Sequence, residues 1–362
     1  MSIPLDRLYN FLQDVCNQDI LIYRFVPHGS RNWFDLHRLF KSNKSDHENL
    51  PIAIFHDQEL LLTKYLPAHP MFIKGFVGGA ASKFSKLIVV HSQRSDSITK
   101  ILDYFGAIDV YYWSHALIAL DWFRYARVDP KITWTMQPTQ KPFLIYNRAW
   151  SGLREYRLKF LELLIQDQQH HHANVKFSQC DNGLYYKKHI YQNSKFQTVC
   201  DFENHVEPNT SPSSASADYV VADYLGANIE VVLETIFDHS DQHLTEKTLR
   251  PIALGKPFIL ASSPGSLQYL RSYGFQTFDP WIDETYDAIQ DPIIRMQHIV
   301  SWMKKFVSLD QKQQQNILIK CQTVADYNRQ HFFSTQFFQT VVNEYAVNIS
   351  RAISAVQDSR LA

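Results

Sequence analysis

Charge of neither sign is in excess, since Lys plus Arg and Asp plus Glu each number 36 among 362 residues. That balance excludes a global basic field of the kind that attracts nucleic acid along its whole length, and leaves room only for a local stripe. Cysteine is scarce. Cys16, Cys180, Cys200 and Cys321 are widely separated and make neither a C-x-x-C pair nor a zinc-type spacing, so reduced structural thiols are expected and a disulfide framework is not. No run of about 18 apolar residues occurs, and residues 1–7 lack a basic region followed by an apolar one. The expectation is a protein without membrane insertion that stays in the cytoplasm of the cell that makes it. No G-x-G-x-x-G follows a first strand: neither His28-Gly29-Ser30 nor residues 76–80 fit, which counts against a dinucleotide-binding dehydrogenase or epimerase. Internal repeats and low-complexity tracts are also lacking.

What is present is the composition of a folded α/β protein. Hydrophobic residues make up 45% of the chain, and the length suits two domains of ordinary size around sizeable cores. Aromatic residues reach 14%, with 7 Trp and 19 Tyr; such rings stack on sugars or bases, but most fill cores. Strand candidates at residues 19–25, 51–55 and 86–90 each empty into a polar loop, and these loops hold His28, His56, Asp57, Glu59, His91 and Ser92. Apolar residues recur at helical spacing over 97–105 and 115–126. A stretch with Pro130, Pro138 and Pro142 marks a linker at 129–141. Residues 143–146 then open a second α/β unit, whose loop carries Asn147, Arg148, Ser151 and Gly152 ahead of a helix from Arg154 to about Gln166. A loop or mobile surface segment is expected at 205–217, a helix at 293–306, and a long helical tail over 311–356 with an interruption near 327–333.

The most informative stretch runs from Thr245 to Leu260. Residues 230–237 read as an apolar strand, 238–243 as a polar loop, Thr245-Glu246-Lys247 as a helix start, and 256–260 as a return to a buried strand. In such a unit the loop and helix N-terminus lie at the carboxyl ends of parallel strands, where ligands of open α/β sheets bind. Free N–H groups and the helix dipole favour phosphate there, Lys247 adds a full charge, and an ionised Glu246 accepts from ribose hydroxyls. The same residues also make a capped surface helix with an ion pair. Arg148, Arg154 and Arg157, near the first strand-to-helix turn of this half, are placed to grip phosphate or to lie exposed on the helix. His170-His171-His172 cannot all face one ion from a regular helix, and a solvated helix end is expected.

Residues 244–287, with Pro264-Gly265-Ser266-Leu267, Gly274-Phe275-Gln276 and Ile282-Asp283-Glu284-Thr285, resemble a group of phage-borne glycosyltransferase-like proteins. So do residues 55–59, His115 with residues 119–126, and residues 146–157. Their Thr-Glu-Lys element is similar to the donor-site element of fucosyltransferases with the two-domain GT-B fold. The resemblance implies an α/β, GT-B-like architecture: two Rossmann-like domains facing across a cleft, with a C-terminal helix crossing back to the first. The domains implied are 1–138 for the acceptor, 139–335 for the nucleotide sugar, and 336–362 for the returning helix. It implies a donor such as a UDP- or GDP-sugar as co-substrate, bound by Asn147, Arg148, Arg154, Thr245, Glu246 and Lys247. Glycosyl transfer needs cationic stabilisation of the departing diphosphate and, where configuration inverts, a base for the acceptor hydroxyl.

Asp57 and Glu59, beside His56, are the candidate bases, with His115 and His28 behind them. Asp57 also reads as a helix cap with Glu59 in the first turn. No D-x-D element follows a strand, and Asp218 and Asp223 are too far apart to make one, so no metal is expected in the reaction. The phage context points to two acceptors, a 5-hydroxymethylcytosine base in phage DNA or a cell-surface glycan and its precursors, with DNA preferred. The Tyr- and Trp-rich first domain, with Arg24, Arg31, Lys41, Lys44, Lys83, Lys86, Arg94 and Lys100, offers a basic surface for it. A binding module that has lost catalysis is the remaining alternative.

Overall fold

The computed structural model describes residues 7–24, 50–56, 87–129, 139–208 and 216–358. The chain divides into two compact units, one formed by residues 1–122 and 335–362, the other by residues 123–334. Both are mixed α/β units built on parallel sheets. Among the described residues no helix is long and apolar enough to cross a membrane.

The first unit carries β1 (Leu21–Arg24), β2 (Ile52–His56), β3 (Leu87–His91) and β4 (Ile108–Tyr111), all parallel and in that spatial order. β2 and β3 are continuous apolar runs buried at every position, as interior strands of a parallel sheet require. Among the described residues β1 and β4 are the outermost strands, with mostly half-buried positions. His56 and His91 are the last residues of β2 and β3 and sit opposite one another in the register, so both belong to strand ends rather than to the loops expected of them. Helix Asp96–Tyr104 starts at Ser95, whose hydroxyl accepts from the Ile98 N–H. Helix Ser114–Trp122 is buried from Ser114 to Asp121. The helix expected over 115–126 therefore ends early, and Arg124–Arg127 form a separate 3-10 turn that packs in the second unit.

The helical tail breaks at Phe333–Ser334, giving helix Gln311–Phe332 and the C-terminal helix Thr335–Asp358. The former opens with a reciprocal capping box between Asp310 and Gln313. The latter belongs to the first unit. It ties down the exit of β4: Glu344 accepts from the Trp113 N–H at 3.0 Å, and the Asn348 amide donates to the Tyr111 carbonyl at 2.8 Å. Its Tyr345 is fully buried against Phe55 and Tyr112 and donates to the Leu12 carbonyl at 3.1 Å.

The second unit has β5 (Phe143–Asn147), β6 (Ala173–Phe177), a small hairpin of β7 (Cys180–Asp181) and β8 (Leu184–Tyr185), β9 (Ile229–Leu233) and β10 (Phe258–Ala261). The main sheet is parallel, in the order β10-β9-β5-β6. β5, β9 and β10 are buried throughout, whereas β6 alternates as an edge strand does. The β7–β8 turn is Asn182-Gly183, both at positive φ, the pairing that two-residue hairpins favour. Helix Tyr156–Gln166 follows β5, helix Glu246–Leu254 links β9 to β10, and helix Pro292–Ser308 packs on the first of these. Gly255 ends the β9–β10 helix at φ 66°, and any Cβ there would meet the Arg329 side chain at 3.2 Å.

Because Tyr345 is a large aromatic core residue of the first unit, Tyr345→Ala is expected to cost that unit about 3–5 kcal/mol. Hydrogen exchange should rise in β2, β3 and β4 and stay unchanged in β5, β9 and β10; equal acceleration in both sheets would contradict the assignment of the C-terminal helix to the first unit.

Candidate functional site

Chain order and spatial order part company in the second sheet. β5 is followed by β6 on one side, and the chain then returns to lay β9 on the other, so connections leave β5 and β9 in opposite directions. A crevice at the carboxyl ends of these two strands is the place where open α/β sheets take ligands. The loops there are 148–155 after β5 and 234–245 after β9. They contain the sequence candidates of this half, with Thr245 and Lys247 at the helix start.

On the β9 side the organising residue is Glu234, fully buried immediately after the strand. One carboxylate oxygen accepts from the Thr245 N–H at 2.9 Å, the Thr248 N–H at 3.2 Å and the Thr248 hydroxyl at 2.6 Å. The other accepts from the Thr235 N–H at 3.1 Å and the Thr245 hydroxyl at 2.9 Å. A carboxylate removed from water is stable only with its lone pairs occupied, and here five donors occupy them. Thr245 is also the N-cap of helix Glu246–Leu254. Lys247 projects back over this cap: its ammonium donates to the Thr245 hydroxyl at 2.9 Å, the Thr235 hydroxyl at 3.3 Å and Glu246 at 3.0 Å, and stands 4.0 Å from Glu234. The side chains of Lys247 and Glu246 keep 15% and 17% of their surface in solvent.

The N-terminus of this helix thus differs from the expected phosphate seat. The Thr248 N–H, which a phosphate oxygen would take, donates to a side chain of the protein itself. What faces outward is an ammonium flanked by two carboxylates.

On the β5 side, Asn147 ends the strand and is buried, its amide donating to the Arg157 carbonyl at 3.0 Å. Arg157 is not exposed on the helix; main-chain carbonyls take up its guanidinium. It is 2% exposed, and its guanidinium donates to Ala149 O at 2.6 Å, Leu233 O at 2.6 Å and Glu234 O at 2.9 Å. The loops after β5 and β9 are therefore joined through one buried cation. Asp181 of the β7–β8 hairpin accepts from the Trp150 and Ser151 N–H groups, both at 2.8 Å, which fixes the intervening turn. Gly152 follows at φ 62°, a left-handed position that suits glycine. Arg154 closes the 3-10 turn Gly152–Arg154 and is half-buried. Glu155 is buried and holds His189 at 2.8 Å together with the N–H groups of Gln192 and Asn193. Asn193 in turn donates to Asp238 of the β9 loop at 2.7 Å.

Arg148 leaves this line. Its guanidinium stacks on Tyr146 with 4.1 Å to the ring centroid and donates to the Asp218 carbonyl at 2.6 Å. It is 4% exposed. Burial, then the nearby charge of Arg250, holds its pKa below the ordinary guanidinium value. Arg250 itself pairs with the buried Glu230, with the Tyr224 hydroxyl bonded to both.

In the first unit, His115 is buried on helix Ser114–Trp122. His91 pairs with Asp109 through Nε2 at 2.6 Å while its Nδ1 accepts from the Gln93 N–H at 3.3 Å, so both ring nitrogens are engaged. Although burial opposes it, that pairing, with a further bond from Thr99, holds the Asp109 carboxyl below its usual value. Asp57, Glu59 and His28 lie outside the described residues. In the histidine triplet, His170 is buried against His171 and His205 in a 3-10 turn, and only His171 is exposed, so the solvated end expected there is partial. Among the described residues no group of three or more His, Cys, Asp or Glu side chains is placed to hold a metal ion.

Glu234, Glu155 and Asp181 have no role in the sequence reading, and Arg157, read there as a phosphate grip or an exposed arginine, instead bonds main-chain carbonyls. Glu234 carried a usable signal: an acid closing an apolar strand eleven residues before a Thr-Glu-Lys helix start. Comparison with protein-family models gives no match. Comparison with curated proteins gives none either.

Lys256, between this helix and β10, is fully buried and donates to the Tyr224 and Ala227 carbonyls. Burial pushes its pKa down to about 7, against ~10.4 in an unfolded chain. Between those values the unfolded state binds the proton and the folded state does not. The cost of this residue is therefore largest at and below pH ~7 and is relieved as pH rises toward ~10. The unfolding free energy from denaturant titration should climb from pH ~7 to ~9 relative to Lys256→Met, by up to ~1.4 kcal/mol per pH unit; parallel pH profiles in the two proteins would indicate a lysine of ordinary basicity.

Proposed function

We propose that the protein is a metal-independent glycosyltransferase that binds a nucleotide-activated sugar at the β5/β9 crevice of its second unit. The observation that carries this reading is the position of Lys247 and Glu246, which head the helix after β9 at the sheet's switch point with both side chains partly in solvent. Their likeness to the fucosyltransferase donor element supports it. In this reading the Lys247 ammonium meets the diphosphate, Glu246 turns from Lys247 to accept from ribose hydroxyls, and Arg154 adds a second cation from the β5 loop. Arg148, bound to Tyr146 and Asp218, holds the loop.

Transfer forms a bond between the acceptor oxygen and the anomeric carbon and breaks the bond from that carbon to the diphosphate, which leaves with the electron pair. In an inverting reaction the acceptor proton passes to a carboxylate, for which Asp57 and Glu59 are proposed. The proposed acceptor is 5-hydroxymethylcytosine in phage DNA, with the protein acting in the host cytoplasm.

A thermal-shift panel of nucleotides and nucleotide sugars should raise the midpoint of the wild-type protein with one class of donor, and Lys247→Ala should abolish that rise with its own fold intact by circular dichroism. An equal rise in both proteins would remove Lys247 from the donor site.

Incubation with hydroxymethylcytosine-containing DNA and a set of nucleotide sugars, followed by nucleoside mass analysis, should show the mass of one added sugar. Transfer to a glycan acceptor with none to DNA would overturn the DNA acceptor. Donor binding without transfer to either would favour a binding module.

A further inference from the structure

We propose that Glu234 is a positioning residue for Lys247: it occupies the donors at the start of helix Glu246–Leu254 and fixes the ammonium that faces the anion. Three observations point the same way. The carboxylate is fully buried, so its place is set by the strand end and not by solvent. Its donors include Thr245 and Thr248, the cap and third residue of the helix, which are the groups that elsewhere cradle a bound phosphate. The Thr245 hydroxyl is a relay, since it donates to Glu234 at 2.9 Å and accepts from the Lys247 ammonium at 2.9 Å. A hydroxyl has one proton to give, so its bond to Glu234 leaves its lone pairs to the lysine. With Glu234 also 4.0 Å from the ammonium, Lys247 is held by charge and by direction together.

This arrangement changes how an anion is recognised. A phosphate on a bare helix end meets main-chain N–H groups and the helix dipole; here the Thr248 N–H is taken by Glu234 and the Lys247 N–H by the Thr245 hydroxyl, so recognition shifts toward one fixed ammonium. Glu234 also lowers the positive potential of the crevice, which favours release of a diphosphate product over its retention.

The inference rests on the reading of Lys247 as the group that meets the diphosphate, and its test separates the two. In the full chain, labelling of the Lys247 amine by an acylating reagent is followed by peptide mass spectrometry, with the exposed Lys304 as internal standard. Glu234→Gln should raise Lys247 labelling severalfold, because the neutral amide attracts the ammonium less and offers one accepting oxygen where five donors now share two. The same variant should bind inorganic pyrophosphate more tightly, by ~10-fold at low salt, since one negative charge has left the crevice, while its turnover falls. A cap of purely structural importance would lose stability, pyrophosphate affinity and turnover together. If Glu234→Gln does not fold, Glu234→Asp keeps the charge and shortens its reach by one methylene, and Lys247 labelling should again rise. Unchanged labelling in the folded variant overturns the assignment. Failure of the wild-type protein to bind any nucleotide sugar overturns the transferase reading instead, and leaves the labelling result to decide Glu234 by itself.

Discussion

A carboxylate placed out of reach of water must find donors or give up its charge, and the second unit is arranged around one that found them. Glu234 closes β9 and collects N–H and hydroxyl groups from Thr235, Thr245 and Thr248. Those contacts fix where the β9 loop returns and at what angle helix Glu246–Leu254 begins, and hence where β10 enters the sheet. The Glu234 carbonyl accepts from Arg157 and from the Tyr156 hydroxyl, so the same residue anchors the first turn of the helix after β5. Burial raises the Tyr156 hydroxyl pKa to about 12, which keeps it a donor throughout the ordinary pH range.

Buried cations complete the pattern. Arg157, Arg295 and Lys256 are all buried and donate to main-chain carbonyls, respectively at the end of β9, in the loop after it, and around the end of the short helix Val221–Leu225 that precedes it. Carbonyls just outside a sheet or at a helix end have no regular partner, and a long side chain with several donors satisfies more than one of them. Arg250 differs in meeting a carboxylate, Glu230, the second residue of β9. Buried pairs of this kind add little net stability against an apolar replacement, yet removing one partner is severe. Several of the chain's basic residues thus serve as internal fasteners, which is one reason an even count of charges says little about the surface.

The parts of the fold legible in the sequence are those written as uninterrupted apolar runs. Ile52–Phe55, Phe143–Tyr146 and Phe258–Leu260 stand between polar turns and fall within strands β2, β5 and β10. β4 and β6 were not legible, because an edge strand half in solvent mixes Asp109 or Lys176 into a short segment and loses the signal of continuous burial. Of the candidate site, the Thr-Glu-Lys helix start was legible as a cap followed by a charged pair. The partner of that cap was not. Glu234 reads as one polar residue in an apolar stretch, and only the three-dimensional return of the chain shows that its carboxylate faces the helix start. Arg157 shows the same limit: helical periodicity places it on a helix but does not reveal that the carbonyls of two strand ends converge on its guanidinium.

The first unit is made from both ends of the chain, with the whole of the second unit inserted between Trp122 and Thr335. During synthesis its sheet leaves the ribosome long before the C-terminal helix that covers Tyr112 and Phe55. At about 5–20 residues per second the intervening segment takes roughly 10–40 s to translate. For that interval an apolar sheet face lacks its permanent cover, while the second unit, continuous in sequence, can complete its core alone. The first unit can therefore complete its core only when the last helix has been made, whereas the second can close as soon as its own strands have emerged.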